Sequence, residues 1–96
     1  MHWGEIMQRI LVVEDDLDIQ ELLQNFLQEM GYEVDIAGDG VEALSIFVDG
    51  KYDLILLDIM LPKIDGYGVC ELVRKQSDIP IIMLTALNGE DDQIKG

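Results

Sequence analysis

Two short runs constrain this chain most: Arg9-Ile-Leu-Val-Val13, apolar after Arg9 and followed by Glu14-Asp15-Asp16, and Asp53-Leu-Ile-Leu-Leu-Asp58, apolar between its two bracketing carboxylates. Alternating polarity would mark a sheet with one wet face. An unbroken apolar run requires cover on both faces, which in a small domain means a parallel strand between helices. The intervening segments agree. Ile19, Leu22, Leu23, Phe26, Leu27 and Met30 recur at helical spacing, with Asp16 or Asp18 to cap the start and Gly31 after the end. Tyr32 to Ala37 alternates as a short strand, and Asp39-Gly-Val-Glu42 has capping-box spacing before a helix carrying Val41, Leu44 and Phe47, closed by Gly50. A third helix follows the Leu61-Pro62 and Asp65-Gly66 loop, marked by Val69, Leu72 and Val73. Pro80-Ile-Ile-Met-Leu84 is a fourth strand, and Glu90 to Gly96 reads as the opening of another helix.

Strand and helix therefore alternate, with short connections, and the fold class is α/β. Right-handed crossovers leave few arrangements, and a flavodoxin-like, doubly wound parallel sheet in the order 2-1-3-4 is expected. With 96 residues there is room for one core. Residues 1–7 read as an N-terminal extension and 8–96 as the domain. Cys70 and Met83 are expected to fill core.

Charge and composition exclude several functions. Six Lys+Arg against twenty Asp+Glu give a net charge of −14, which argues against nucleic-acid or anionic-membrane binding by this chain. Nearly half the residues (49%) are apolar and fall in patterned blocks, so the charge does not imply disorder. The longest apolar stretch, Ile79 to Leu87, is too short to span a bilayer. No signal peptide opens the chain, and a cytoplasmic location is expected. The lone Cys70 excludes an internal disulfide.

In a doubly wound sheet, chemistry gathers at the carboxyl ends of the strands. Here those ends carry Glu14-Asp15-Asp16, Asp58 and Thr85. Taken singly, each has an ordinary reading: Asp15 and Asp16 as caps or first-turn acids, Asp58 as a turn acid, Thr85 as a strand-end hydroxyl bonded to its own backbone. Taken together they fall on strands expected to be adjacent, so Asp15 and Asp58 should converge. Carboxylates a few ångströms apart repel unless a cation joins them. Hard oxygen donors on a partly open site suit Mg²⁺, and a carboxylate so supported is a place to form an aspartyl phosphate.

Four segments then resemble, in order and spacing, the receiver domain of bacterial two-component response regulators. They are Ile10-Leu-Val-Val-Glu-Asp-Asp16, Ala37-Gly-Asp-Gly-Val-Glu-Ala43, Asp53-Leu-Ile-Leu-Leu-Asp-Ile-Met-Leu-Pro62 with Asp65-Gly66, and Pro80-Ile-Ile-Met-Leu-Thr-Ala86. The resemblance implies that Asp58 is the phosphoacceptor, taking a phosphoryl group from a sensor histidine kinase. It implies that Asp15, Asp58 and the Met60 carbonyl ligate Mg²⁺, with Glu14 holding the metal through water. The Thr85 hydroxyl and the Ala86 N–H would contact the phosphoryl group, and Met60 and Leu87 would flank the site. Such a domain is an acceptor rather than an enzyme, at most assisting its own phosphorylation and dephosphorylation. The wording is most similar to receivers of winged-helix transcription factors, which implies DNA binding through an output domain outside this chain.

The family pattern continues past Gly96 with a fifth strand carrying a following Lys, and a fifth helix. Read as truncated there, the domain lacks that Lys, and slower phosphorylation by about a hundredfold is expected. Its fourth strand would be a bare edge, so a homodimer through that strand or exchanged elements is expected. The competing reading is a structural or oligomerising fragment with an idle acidic site. A haloacid-dehalogenase-like phosphatase is excluded because Ile59 and Met60, not a second Asp, follow Asp58. An EF-hand is excluded because no twelve-residue acidic loop is present.

Overall fold

Each helix in the computed structural model, which describes residues 8–84, begins on an aspartate. Helix α1 (Leu17–Glu29) is capped by Asp16, whose Oδ1 accepts from the N–H groups of Asp18 (2.9 Å) and Ile19 (3.1 Å). Helix α2 (Gly40–Asp49) is capped by Asp39, which accepts from Glu42 N–H at 2.8 Å. The return bond of that box runs one residue earlier than the simple pattern: Glu42 Oε1 accepts from Gly38 N–H at 2.8 Å. Helix α3 (Gly66–Arg74) is capped by Asp65, which accepts from Gly68 N–H at 2.9 Å. Gly31 follows α1 at φ +98°, the left-handed conformation that a glycine adopts without a Cβ penalty.

The strands are β1 (Arg9–Val13), β2 (Glu33–Ala37), β3 (Leu54–Asp58) and β4 (Ile81–Leu84), all parallel, in the order β2-β1-β3-β4. Register places Val13 beside both Ala37 and Leu57, and Asp58 beside Leu84. Successive side chains leave opposite faces of the sheet. Leu11, Val13, Ile55 and Leu57 pack with Ala43 of α2 and Val69 and Val73 of α3. Ile10, Val12 and Leu56 pack with Leu27 of α1. The runs that lacked a polar alternate are thus buried on both sides, and each such side chain stabilises the fold by roughly 1.5–3 kcal/mol. Cys70 and Met83 are half-buried against the first of these clusters.

The helices bury less than their apolar stripes offer. Of the α1 stripe, Leu27 is buried and Leu23 half-buried, whereas Ile19, Leu22, Phe26 and Met30 are exposed. Helix α1 lies over β2 and β1. Val41 of α2 and Leu72 of α3 are likewise exposed. The expected helix at Glu90 to Gly96, and the tail 1–7, lie outside the described residues.

Candidate functional site

The carboxyl edge of the sheet is crowded with acids, and the folding of the loops sorts them. Asp16, Asp39 and Asp65 spend their carboxylates on helix N-termini, where each accepts from backbone N–H groups of the first turn. The N–H of Glu42 pulls the Asp39 carboxyl below its ordinary range, helped by Lys63, whose Nζ stands 3.2 Å away. Glu14, Asp15 and Asp58 cap nothing. One carboxylate oxygen from each lies within 4.8 Å of those of the other two.

Glu14 is held on three sides. Its N–H extends the β1–β2 ladder to Ala37 O at 3.0 Å, its carbonyl accepts from Gln20 Nε2 at 2.6 Å, and its Oε2 accepts from Asp16 N–H at 3.0 Å. It is the buried charged residue of the described chain, only 5% exposed. Burial pushes its carboxyl up, against the pull of the Asp16 N–H, and the negative charges of Asp58 and Asp15 push the same way. Asp15 is exposed, and Asp58 is half-buried at the end of β3.

The loop after Asp58 is tightly folded. Asp58 Oδ1 accepts from Met60 N–H at 3.1 Å, and Ile59 O accepts from Leu61 N–H (3.2 Å) and Gly66 N–H (2.9 Å). Ile59 N–H donates to Leu84 O at 3.2 Å, tying this loop to β4. Met60 is exposed at the rim. Gly66 is buried beneath, where a Cβ would stand 2.6 Å from Asp58 O and 2.7 Å from Ile59 Cα. Thr85, Ala86 and Leu87 lie outside the described residues.

Of the acids that the sequence places at these strand ends, the structure therefore gathers Glu14, Asp15 and Asp58 and diverts Asp16 to capping. The sequence pattern gives no signal for Gln20, because a polar residue at one helical position beside an apolar stripe is ordinary. The donor set is hard oxygen, partly open and net negative. A divalent cation of the Mg²⁺ type fits it, and would offset the charge that burial makes costly on Glu14.

That cost has a measurable sign. A carboxyl raised in the folded state binds its proton more tightly there than in the unfolded chain. Its full contribution is present below the ordinary value of 4.5 and is lost as pH rises through the raised value. Glu14→Gln keeps the shape without the charge. In metal-free buffer it is expected to melt higher than the unsubstituted protein at about pH 7, with the gap closing toward about pH 4. Equal gaps at both pH values would place the cost elsewhere.

Comparison with known proteins gives the site a family. The profile described as the response regulator receiver domain matches residues 10–96. The chain is 54% identical over 89 residues to a probable transcriptional regulator, ycf27, of Cyanophora paradoxa, covering 93% of this chain and 37% of that protein. It is 46% identical to the transcriptional regulatory protein YxdJ of Bacillus subtilis, covering 92% of this chain and 38% of the relative. It thus spans little more than a third of the curated relatives it matches. Among solved structures it resembles the response regulator TrrA of Thermotoga maritima in complex with Mg²⁺–BeF, at TM-score 0.81 and 47% identity, covering 92% of this chain and 77% of that one. It also resembles a chain in the complex of histidine kinase ThkA with TrrA, at TM-score 0.80 and 52% identity over 85% of this chain and 72% of that one. With the expected sheet order in place and this match across nearly its whole length, the chain belongs to the response regulator receiver domain family.

Proposed function

We propose that this receiver domain is the phosphoacceptor of a two-component response regulator, with Asp58 taking a phosphoryl group from a phosphohistidine of a sensor histidine kinase. The observation that carries the reading is the sorting of acids at the sheet edge: three are consumed as caps, and Glu14, Asp15 and Asp58 remain together. An Asp58 carboxylate oxygen bonds to phosphorus as the phosphorus–nitrogen bond of the donor breaks. The electron pair of that bond returns to the imidazole, which takes up a proton. Asp15, Asp58 and the Met60 carbonyl would hold Mg²⁺, and Glu14 would hold it through water. Bound there, the ion supplies positive charge against the negative charge of the transferring group. Met60 N–H, already on Asp58 Oδ1, orients the nucleophile. Thr85 and Ala86 complete the reading as phosphoryl contacts. The Mg²⁺–BeF and kinase complexes of its structural relatives support it.

Within a longer protein the domain would regulate transcription, as the names of the curated relatives suggest, and it would do so in the cytoplasm. DNA contact would fall to a separate output domain, since this chain carries a net charge of −14. None of the described helices is long and apolar enough to cross a membrane. The domain acts as a stoichiometric acceptor rather than an enzyme. Self-association is the second proposal, supported by β4 having one strand neighbour among the described residues and by exposed Ile82. Light scattering over a dilution series tests it, and a monomer mass at high micromolar concentration rejects it.

The test of the main reading is incubation with a small phosphodonor and Mg²⁺, followed by intact-mass measurement. A gain of one phosphoryl group that requires Mg²⁺ is the expected result. No gain, in a protein that melts cooperatively, would favour a structural domain with an idle acidic site.

A further inference from the structure

One side chain outside the acidic triad reaches into its framework. Gln20, on the second turn of α1 and half-buried, donates from Nε2 to the carbonyl oxygen of Glu14 at 2.6 Å. The position of that carbonyl explains why a side chain is needed. Val13 is the last residue of β1 with partners on both neighbouring strands, Ala37 and Leu57. Glu14 still sends its N–H to Ala37 O, but its carbonyl lies past the paired part of the sheet, at a residue that is 5% exposed. A buried carbonyl without a donor costs about 1–3 kcal/mol in general, so a partner is expected, and Gln20 is that partner.

The same bond has a second consequence. The Glu14 carbonyl and the Asp15 N–H belong to one planar peptide unit, so fixing the oxygen fixes the direction in which the Asp15 Cα leaves the strand. Asp15 needs that help. Among the described residues its carboxylate accepts no hydrogen bond, unlike Glu14, which accepts from Asp16 N–H, and Asp58, which accepts from Met60 N–H. The start of α1 is itself anchored by Asp16, so Gln20 projects from a rigid helix.

We infer that Gln20 is a positioning residue for the cation site: through the Glu14 carbonyl it sets the Glu14–Asp15 peptide and hence the aim of the Asp15 carboxylate. The inference rests on the phosphoacceptor reading above. Partners one step behind the metal ligands typically change metal affinity by about 10–100-fold when removed.

The experiment is a Mg²⁺ titration of the chain followed by amide NMR shifts at Asp15 and Asp58, with a metal-free thermal melt of each variant. Gln20→Met keeps length and helix propensity and removes the donor. It is expected to raise the Mg²⁺ half-saturation by about tenfold. Gln20→Arg restores an N–H donor and is expected to stay within about threefold of the unsubstituted protein, measured at elevated salt to screen its charge. Gln20→Asn, one methylene short, serves where Gln20→Met does not fold, and a raised half-saturation supports the inference equally. A folded Gln20→Met or Gln20→Asn that melts lower but keeps its Mg²⁺ half-saturation overturns the inference, leaving Gln20 with a structural role alone, while the phosphoacceptor reading stands. An unsubstituted protein whose shifts do not move at millimolar Mg²⁺ sinks both.

Discussion

Asp58→Asn is expected to take up no phosphoryl group under conditions where the unsubstituted protein does. The substitution is close to isosteric, and the remaining amide oxygen can still accept from Met60 N–H, which bonds Asp58 Oδ1 at 3.1 Å. What disappears is the anionic oxygen that attacks phosphorus, since an amide is a poor nucleophile and the product would be unstable. The fold is expected to survive. Asp58 is half-buried at a strand end, and its negative charge adds to the cost of burying Glu14, so removing it relieves repulsion. The expected pair of results is therefore an intact-mass gain lost by at least about a hundredfold and a melting temperature equal to or above that of the unsubstituted protein. A mass gain that persists in Asp58→Asn would move the chemistry to another carboxylate, with Asp15 the first to test.

Gly66→Ala is expected to damage both stability and the site, although Gly66 bears no side chain and touches no ligand. The added methyl would meet Asp58 O at 2.6 Å and Ile59 Cα at 2.7 Å, both backbone atoms that cannot swing aside. To admit it, the 59–65 loop must lift away from α3, breaking the Gly66 N–H to Ile59 O bond of 2.9 Å. Overpacking of this kind typically costs about 1–3 kcal/mol, against a total stability of about 5–15 kcal/mol for a domain. For a chain of this size that lowers the melting temperature by about 5–20 °C. Because the displaced peptide is the one that carries Asp58 and leads to Met60, Mg²⁺ half-saturation should rise as well. An unchanged melt would show that the loop yields at little cost, and an unchanged Mg²⁺ titration would separate Gly66 from the site.

Much of this was legible before any coordinates. The cap at Asp39 and the left-handed Gly31 follow from short-range rules, in which a residue meets its own backbone within four residues, whereas the Asp65 cap emerged only from the fold of the loop before α3. The parallel order 2-1-3-4 follows from two apolar runs with no wet face and from the handedness of crossovers. The gathering of Asp15 and Asp58 follows from that order, because adjacent parallel strands end at the same edge.

Other features needed the three-dimensional arrangement. Asp15 and Asp16 are neighbours of one chemical type, and only the path of the loop makes one a helix cap and leaves the other free. Periodicity marks Ile19, Leu22, Phe26 and Val41 as apolar helix positions but not which of them a neighbour covers, and all four are exposed. The burial of Glu14, its raised carboxyl and the reach of Gln20 to its carbonyl depend on how α1 sits against β1 and β2. Local hydrogen bonds and alternation are written residue by residue, so the chain alone determined the elements, their order and the edge where the acids meet. Desolvation and side-chain reach depend on groups distant in sequence, so the tertiary structure decided which acids stay free and what holds them in place.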